Sequence, residues 1–428
     1  MKITWCWVWK DGLIYIIIIT ILITALVFTI ICCAYCFCKY EKKIRKRDDE
    51  FAKMTNVVKK IVVQKQISFN NDSPDVLNMP IVAIQCLRSG KARNGMISDG
   101  VYQMPLDERW EIPRHNLRIG RTVGEGEFGT VAKAEAKNIS VRENETTIVA
   151  VKMLKDEHTD TDMVDLVSEM EILKLLGNHP NILQLIGCCS QRGPLLVITE
   201  YAENGNLQKF LRTHLQQSIE LPETTLMSYA RQIALGMEYL VSLKCIHRDL
   251  AARNILVTAN YTMKIADFGL ARNVKNSEYY RKTSNGRLPI KWMAPEALLH
   301  HKYTLQSDVW SYGVLLWEIA TMGGIPYPAI INLAGLLHAL NQNYRMEKPP
   351  NTSTNVYNLM LDCWENEPEL RPNFSTIVEL LTELLTNTEV IDGSSHLKNP
   401  DTDGSEMGSS VFSSKSFENE NASEAALL

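Results

Sequence analysis

Net charge is what this sequence most lacks. Its 428 residues contain 45 Lys and Arg against 49 Asp and Glu, which leaves a formal charge of −4 at pH 7. Proteins that bind nucleic acid through its phosphates usually carry a marked basic excess. The composition therefore gives nucleic-acid binding no support. Hydrophobic residues at 45% and charged residues at 22% are ordinary for globular domains.

One long stretch lacks charge altogether, because residues 12–38 contain no Asp, Glu, Lys or Arg. As a helix this stretch is about 40 Å long at about 1.5 Å per residue, and a hydrocarbon core is about 30 Å thick. It exceeds the apolar core of a signal peptide, and basic residues rather than a cleavage site follow it. We predict a transmembrane helix over 12–38, in which no Gly-x-x-x-Gly motif indicates a dimerisation face.

The flanks of this helix predict its orientation. Six basic residues lie in 39–47, and only Lys2 and Lys10 precede the helix. Positive charge stays on the cytoplasmic side, so we expect a single-pass protein of the cell membrane with residues 1–11 outside and the remainder cytoplasmic. The four cysteines within 32–38 are sites for palmitoylation or simply small apolar residues; the sequence leaves both open.

The cytoplasmic part divides by composition. Residues 39–109 form a juxtamembrane segment without sustained periodicity, which predicts a mostly disordered or loosely packed chain. Residues 110–388 are globular. Their strand-like runs (117–123, 130–135, 148–153 and 195–200) and one helical run (163–175) precede purely helical runs (225–242, 307–321, 333–341 and 374–385). The pattern predicts an α+β domain with a strand-rich lobe, 117–202, a helical lobe, 203–388, and a disordered tail, 389–428.

A glycine-rich loop opens the strand-rich lobe. It reads Gly124-Glu125-Gly126-Glu127-Phe128-Gly129-Thr130-Val131. The spacing alone is weak evidence, because G-x-G-x-x-G also marks dinucleotide-binding βαβ units. Here a strand-like run follows the glycines rather than a helix. We therefore predict a β-turn-β flap that approaches a triphosphate closely, since glycine has no Cβ.

Charged residues further along suit phosphoryl transfer, which needs mainly positioning and charge neutralisation. In His247-Arg248-Asp249-Leu250-Ala251-Ala252-Arg253-Asn254, Asp249 can orient an attacking hydroxyl. Asn254 and Asp267, the latter in Asp267-Phe268-Gly269, offer the oxygen ligands that Mg²⁺ prefers. Lys152 ends the run Ile148-Val149-Ala150-Val151-Lys152 and needs a counter-charge, for which Glu169 is the candidate. Glu171 is the rival, about 200° away around a helix.

These motifs resemble those of protein kinases across roughly 117–387. The resemblance implies a bilobal kinase fold, with an antiparallel sheet and one helix in the first lobe. It implies ATP and Mg²⁺ as cosubstrate and cofactor, with Asp249, Arg253, Lys152 and Glu169 catalytic and Asn254 and Asp267 on the metal. Expected to contact ATP are Gly124, Glu125, Gly126, Gly129, Val131, Ala150, Lys152, Glu200, Ala202 and Asn254. It also implies that Glu296 of Ala294-Pro295-Glu296 pairs with Arg371.

The resemblance narrows to tyrosine kinases, because Ala251 and Arg253 give the A-A-R form of the catalytic loop and Pro289-Ile290-Lys291-Trp292 follows. It is closest to the fibroblast growth factor receptor group, on the evidence of Trp110-Glu111-Ile112-Pro113-Arg114, Val149–Lys155 and Tyr279–Arg287. This implies protein tyrosine substrates, autophosphorylation of Tyr279 and Tyr280 in trans within a homodimer, and a hinge brake. The brake residues are Asn181, Glu200 and Lys264. The gatekeeper residue, which precedes the hinge, is Thr199.

The sequence also departs from that group. We expect no growth-factor-binding ectodomain, and no tyrosine follows Glu389. Tyr102 and the stretch 59–68 are the remaining candidates for cytoplasmic adaptors. A membrane-anchored pseudokinase or scaffold is the main alternative, although Lys152, Asp249 and Asp267 are all retained. A soluble kinase, with the apolar stretch an error of gene prediction, is a third possibility.

Overall fold

The computed structural model describes residues 39, 57–64, 80–88, 102–126, 129–139, 145–273 and 289–395, with backbone alone for 57–58, 86–88 and 388–395. The predicted transmembrane helix, the tandem tyrosines Tyr279 and Tyr280, and the tail beyond Ser395 lie outside these residues. Within the described ranges, no helix combines the length and apolar character needed to cross a membrane.

The juxtamembrane segment is more ordered than predicted. Its described residues form β1 (Val57–Gln64), β2 (Ile81–Arg88) and β3 (Tyr102–Gln103) in one sheet, with β1 central. β1 pairs antiparallel with β2 and parallel with β3. For these residues the prediction of a disordered or loosely packed chain is wrong, because β-branched residues dominate β1 and Ile61 is buried in the domain core.

The first lobe is a five-stranded antiparallel sheet covered by one long helix. Its strands are β4 (Leu117–Glu125), β5 (Gly129–Lys137), β6 (Thr146–Leu154), β7 (Leu185–Cys189) and β8 (Leu196–Glu200), in the order β4-β5-β6-β8-β7. The helix is α1 (Asp160–Leu176). The predicted strands and helix are confirmed, whereas β7 was missed because nearly all of its residues are buried and no alternation marks it.

The second lobe is helical. It contains α2 (Leu207–Gln216), α3 (Glu223–Ser242), α4 (Pro295–His300), α5 (Leu305–Ala320), α6 (Leu333–Asn341), α7 (Thr354–Cys363) and α8 (Phe374–Ser395), with short strands β9 (Cys245–Ile246), β10 (Ile255–Val257), β11 (Met263–Ile265) and β12 (Arg272–Asn273). The bilobal α+β prediction is confirmed. Three helices, α2, α4 and α7, were not predicted, and α8 continues past the expected end of the domain at 388.

The lobes share a continuous apolar core that reaches from α1 to α8. Four described cysteines are buried as free thiols. Cys188, Cys245 and Cys363 lie in this core, and Cys189 lies in a smaller apolar cluster of the first lobe. Burial raises the pKa of all four, and that of Cys188 to about 12. Their thiols therefore remain protonated at neutral pH.

A buried ion pair joins α4 to the segment before α8 in the second lobe. Arg371, fully enclosed, donates from both terminal nitrogens to the Glu296 carboxylate at 2.8 and 2.9 Å. The pairing predicted from the sequence is present. A bidentate arginine–carboxylate pair fixes the relative orientation of its two partners, here α4 and the segment before α8.

Removing one member of this pair should be costly. We expect Arg371→Met to lower the free energy of unfolding by about 3 kcal/mol, because the Glu296 carboxylate, only 12% exposed, keeps its charge without a cation. Arg118→Met is the matched control, since Arg118 faces Glu135 at 3.8 Å on the surface and exposed pairs contribute little. Denaturant unfolding of the two variants measures the contrast; equal losses would contradict this account.

Candidate active site

An ion pair between Lys152 and Glu169 lies in the cleft between the lobes. β6 carries Lys152, and its Nζ lies 2.6 Å from Oε2 of Glu169 on α1. α1 starts at a capping box in which the Thr159 hydroxyl accepts from the Asp162 backbone, and Asp162 accepts from the Thr159 backbone. Glu171, the rival partner, instead accepts from Lys174 at 2.7 Å. The helix therefore presents Glu169 to the cleft.

The charges of this pair depend on their surroundings. Burial alone would lower the pKa of Lys152, but the Glu169 and Asp267 carboxylates raise it above its ordinary value. Burial raises the pKa of Glu169, opposed by Lys152 and reinforced by Asp267. Lys152 thus keeps its positive charge in the cleft and faces two carboxylates from opposite lobes.

The loop between β9 and β10 holds Asp249. Its carboxylate accepts hydrogen bonds from Arg253 and, at 2.8 Å, from the Asn254 side-chain amide. Burial raises the pKa of Asp249, Asp267 adds to that, and Arg253 opposes it. The Arg253 guanidinium also stacks over the Trp292 ring at 4.3 Å. Arg253 and Asn254, both in the same loop, therefore position Asp249. Arg253 in turn packs against Trp292 in the Pro289–Trp292 segment.

Two buried carboxylates on α5 support this loop, and sequence reasoning missed both. Asp308 accepts from the backbone nitrogens of His247 and Arg248 at 2.7 and 2.9 Å. Glu318 accepts from the Ala252 backbone at 2.9 Å and from the Trp292 indole at 2.8 Å. They are the only charged residues of α5, and a charge at a buried position was the signal that could have found them.

Asp267 lies where the chain turns out of β11. Its φ of 64° places it in the left-handed region, which costs a non-glycine residue energy and persists where surroundings enforce it. The next residue supplies that constraint, because Phe268 is fully buried against the edge of the His247 ring at 5.1 Å. His247 in turn contacts the Ala266 carbonyl through Nε2 at 3.1 Å. The buried phenyl ring thus holds Asp267 toward Lys152.

The glycine-rich loop is the turn between β4 and β5. The Gly126 amide donates to the Gly129 carbonyl at 2.8 Å, and Gly124 pairs with Val131 across the hairpin. A Cβ on Gly129 would lie 2.5 Å from the Met153 carbonyl on β6. At this position glycine is required by strand packing and not only, as predicted, by the approach of phosphate. The Glu125 side chain points to Lys155, 2.7 Å away.

The segment after β8 joins the lobes. Glu200 Oε1 accepts from Lys264 Nζ at 2.9 Å and from the Gln184 backbone at 2.8 Å. Asn181 donates to the Met263 carbonyl at 3.0 Å, so Glu200 and Asn181 hold consecutive residues of β11, Lys264 and Met263. The Glu200 carboxylate is therefore occupied, and the Glu200 backbone amide donates to the Gln184 carbonyl at 3.1 Å. Ala150 lies on the neighbouring strand, opposite Thr199.

The donor set fits a magnesium nucleotide. Asp267 contributes a carboxylate and Asn254 an amide oxygen, both hard ligands of the kind Mg²⁺ takes together with substrate phosphates. The Asp267 carboxylate contributes to the raised pKa of Asp249, after burial, and a divalent cation between the two would relieve this repulsion. Within the described residues, no cluster of three or more His, Cys, Asp or Glu side chains forms a metal cage.

Comparisons with known proteins agree with this geometry. Residues 117–381 match the family model described as protein tyrosine and serine/threonine kinase. The chain is 47% identical over 371 residues to fibroblast growth factor receptor homolog 1 of Drosophila melanogaster, covering 82% of this chain and 49% of the relative. It is 50% identical over 335 residues to homolog 2 of the same fly, covering 72% and 32% respectively. The chain thus spans half or less of these relatives.

Proposed function

Since the chain belongs to the protein tyrosine and serine/threonine kinase family, we propose that it transfers the γ-phosphate of ATP to tyrosine hydroxyls of proteins, itself included. One observation carries the proposal: Lys152, Glu169, Asp249 and Asp267 converge on a single cleft with Lys152 paired to Glu169 at 2.6 Å. A pseudokinase scaffold would not need this arrangement. The likeness to two receptor homologues supports tyrosine as the acceptor.

Each residue has a distinct task in this proposal. Mg²⁺–ATP supplies the transferable phosphoryl group, which Asn254 and Asp267 would hold through the metal. Lys152 would bind phosphate oxygens, with Glu169 fixing its position. Asp249 would orient the tyrosine hydroxyl and accept its proton, and Arg253 would keep that carboxylate in place. Backbone groups of Glu200 and Ala202 would bind adenine. Gly124, Glu125, Gly126, Gly129, Val131 and Ala150 would enclose the nucleotide.

The test of activity uses the full-length protein in detergent with Mg²⁺ and ATP. We expect phosphotyrosine to accumulate on the protein and on an added tyrosine peptide, with no phosphate on a serine-substituted peptide. A preparation that binds ATP yet forms no phosphotyrosine would support the scaffold hypothesis. Omission of Mg²⁺ should remove activity, because the phosphate charges then face Asp249 and Asp267 without neutralisation.

Autophosphorylation in trans is proposed for Tyr279 and Tyr280, by analogy with the receptor group. A phosphate adds about −1.5 to −2 charges and can order a loop against arginines. We expect the double variant Tyr279→Phe with Tyr280→Phe to lengthen the lag in progress curves while basal turnover persists. Tyr303→Phe is the control, because Tyr303 is buried. Superimposable curves for wild type and the double variant would rule out this assignment.

We further propose a single-pass protein of the cell membrane, anchored by 12–38 with the kinase domain in the cytoplasm, which pairs with a second copy during autophosphorylation. The uncharged run and its basic flank support the anchor. Carbonate washing of membranes should leave the protein in the pellet, whereas release into the wash would favour the soluble alternative. We also propose adaptor binding through Tyr102 or 59–68.

A further inference from the structure

The juxtamembrane sheet touches the first turn of α1 at one carboxylate. Oδ1 of Asp160 accepts hydrogen bonds from Lys59 Nζ on β1 at 2.6 Å and from the Tyr102 hydroxyl on β3 at 2.5 Å. The Lys59 ammonium also lies 5.5 Å from the centroid of the Tyr102 ring. β1 and β3, which are not part of the five-stranded sheet, therefore both contact the Asp160 side chain of α1.

Apolar packing accompanies this contact. Ile61, two residues after Lys59 and on the same face of β1, is 1% exposed. It belongs to the core cluster that contains Met163 and Leu166 from α1. The juxtamembrane sheet is thus seated on the helix, and the hydrogen bonds to Asp160 fix where along the helix it sits.

The chain that follows β3 reaches the other end of α1. Asp107 lies 3.6 Å from Lys174, in the last turn of the helix. Farther on, Glu111 accepts from the Ser190 and Gln191 backbones after β7, at 3.1 and 3.2 Å. The segment from Tyr102 to Glu111 accordingly spans α1 from end to end and is attached to the sheet beyond it.

We propose that Asp160 is a positioning residue for the Lys152–Glu169 pair, through which the juxtamembrane sheet sets the position of α1. This inference rests on the proposed function. Glu169 is nine residues from Asp160, about 14 Å along a rigid helix, so a shift at the first turn is transmitted to the carboxylate. A hydrogen-bonded ion pair of 2.6 Å has little tolerance for such a shift.

If the contact between Lys59 and Asp160 served only to stabilise the fold, its loss would lower Tm. The side chains of Lys59 and Asp160 are 33% and 47% exposed, and exposed pairs contribute little to stability. Loss of the contact should therefore leave Tm nearly unchanged. An effect on the ATP site at constant Tm would mark positioning.

The experiment compares full-length variants. Asp160→Asn removes the charge of the acceptor, and Lys59→Met removes one donor while leaving the first-turn carboxylate of α1 intact. Each single variant should raise KM for ATP about two- to fivefold, with faster amide hydrogen exchange in α1. The double variant should be no worse than the more affected single one, because both changes break the same contact.

Matched controls are Lys60→Met, on the opposite face of β1, and Asp156→Asn, an exposed acid before α1. Both should behave as wild type. The inference is overturned if the Asp160 and Lys59 variants match these controls in KM and exchange, or if their effects simply add. An inactive wild type would refute the proposed function instead, and hydrogen exchange in α1 would still decide whether Asp160 and Lys59 position the helix.

Discussion

Phosphotransfer by an Asp249→Asn variant is expected to fall about 10²- to 10⁴-fold, the usual contribution of a positioned proton acceptor. The amide keeps the shape of the carboxylate but neither accepts a proton nor carries the charge that pairs with Arg253. KM for ATP should change little, because Asn254 and Asp267 remain. The result expected is a loss confined to kcat.

The fold should survive this substitution. The new amide oxygen can still accept one of the two hydrogen bonds, from Arg253 or from Asn254, and Arg253 still stacks on Trp292. Asp362→Asn, an exposed acid at the end of α7, is the matched control and should retain full activity. Asp249→Asn protein with wild-type kcat would show that the base lies elsewhere.

The Lys152→Met variant should lose both activity and stability. Glu169 then stays buried without its cation, a change that costs about 3 kcal/mol where the partner was enclosed. Removal of Lys152 also removes the charge that opposes the rise in the pKa of Glu169. A carboxyl whose pKa is raised on folding contributes stability below its unfolded pKa and loses it as pH rises through the folded value.

The pH dependence therefore has a defined sign. The stability difference between wild type and Lys152→Met should be small in mild acid, where Glu169 takes up a proton, and should widen toward neutral pH. The double variant Lys152→Met with Glu169→Met should remove this widening, because no buried carboxyl remains. Denaturant unfolding across a pH series from mild acid to neutral measures it. A pH-independent difference would contradict the role of Glu169.

Sequence reasoning located the cleft because its residues form local motifs. Lys152, Asp249, Asn254 and Asp267 sit in short strings with fixed spacing. The helical period showed that Glu169 and Glu171 cannot both face Lys152, and the structure selects Glu169. The glycine-rich turn was likewise visible, since a strand-like run follows it. These features depend on neighbours within a few residues, which is the range over which a single sequence is informative.

The features that were missed depend on contacts distant in the chain. Asp308 and Glu318 act on a loop some 60 residues earlier, so nothing near them signals their partners. β7 is buried on both faces and shows no alternation. The juxtamembrane strands are stabilised by α1, about 100 residues away from β1, and a segment that depends on a distant helix resembles an unstructured one when read alone.

The four buried thiols add a property that concerns chemical reactivity rather than catalysis. Only a thiolate attacks an electrophile, and burial keeps Cys188, Cys189, Cys245 and Cys363 protonated. While folded, the domain should resist alkylating agents and oxidants at these positions. Each thiol reacts once its part of the core opens, so the rate of labelling at each cysteine reports the frequency with which that region of the kinase domain exposes its interior.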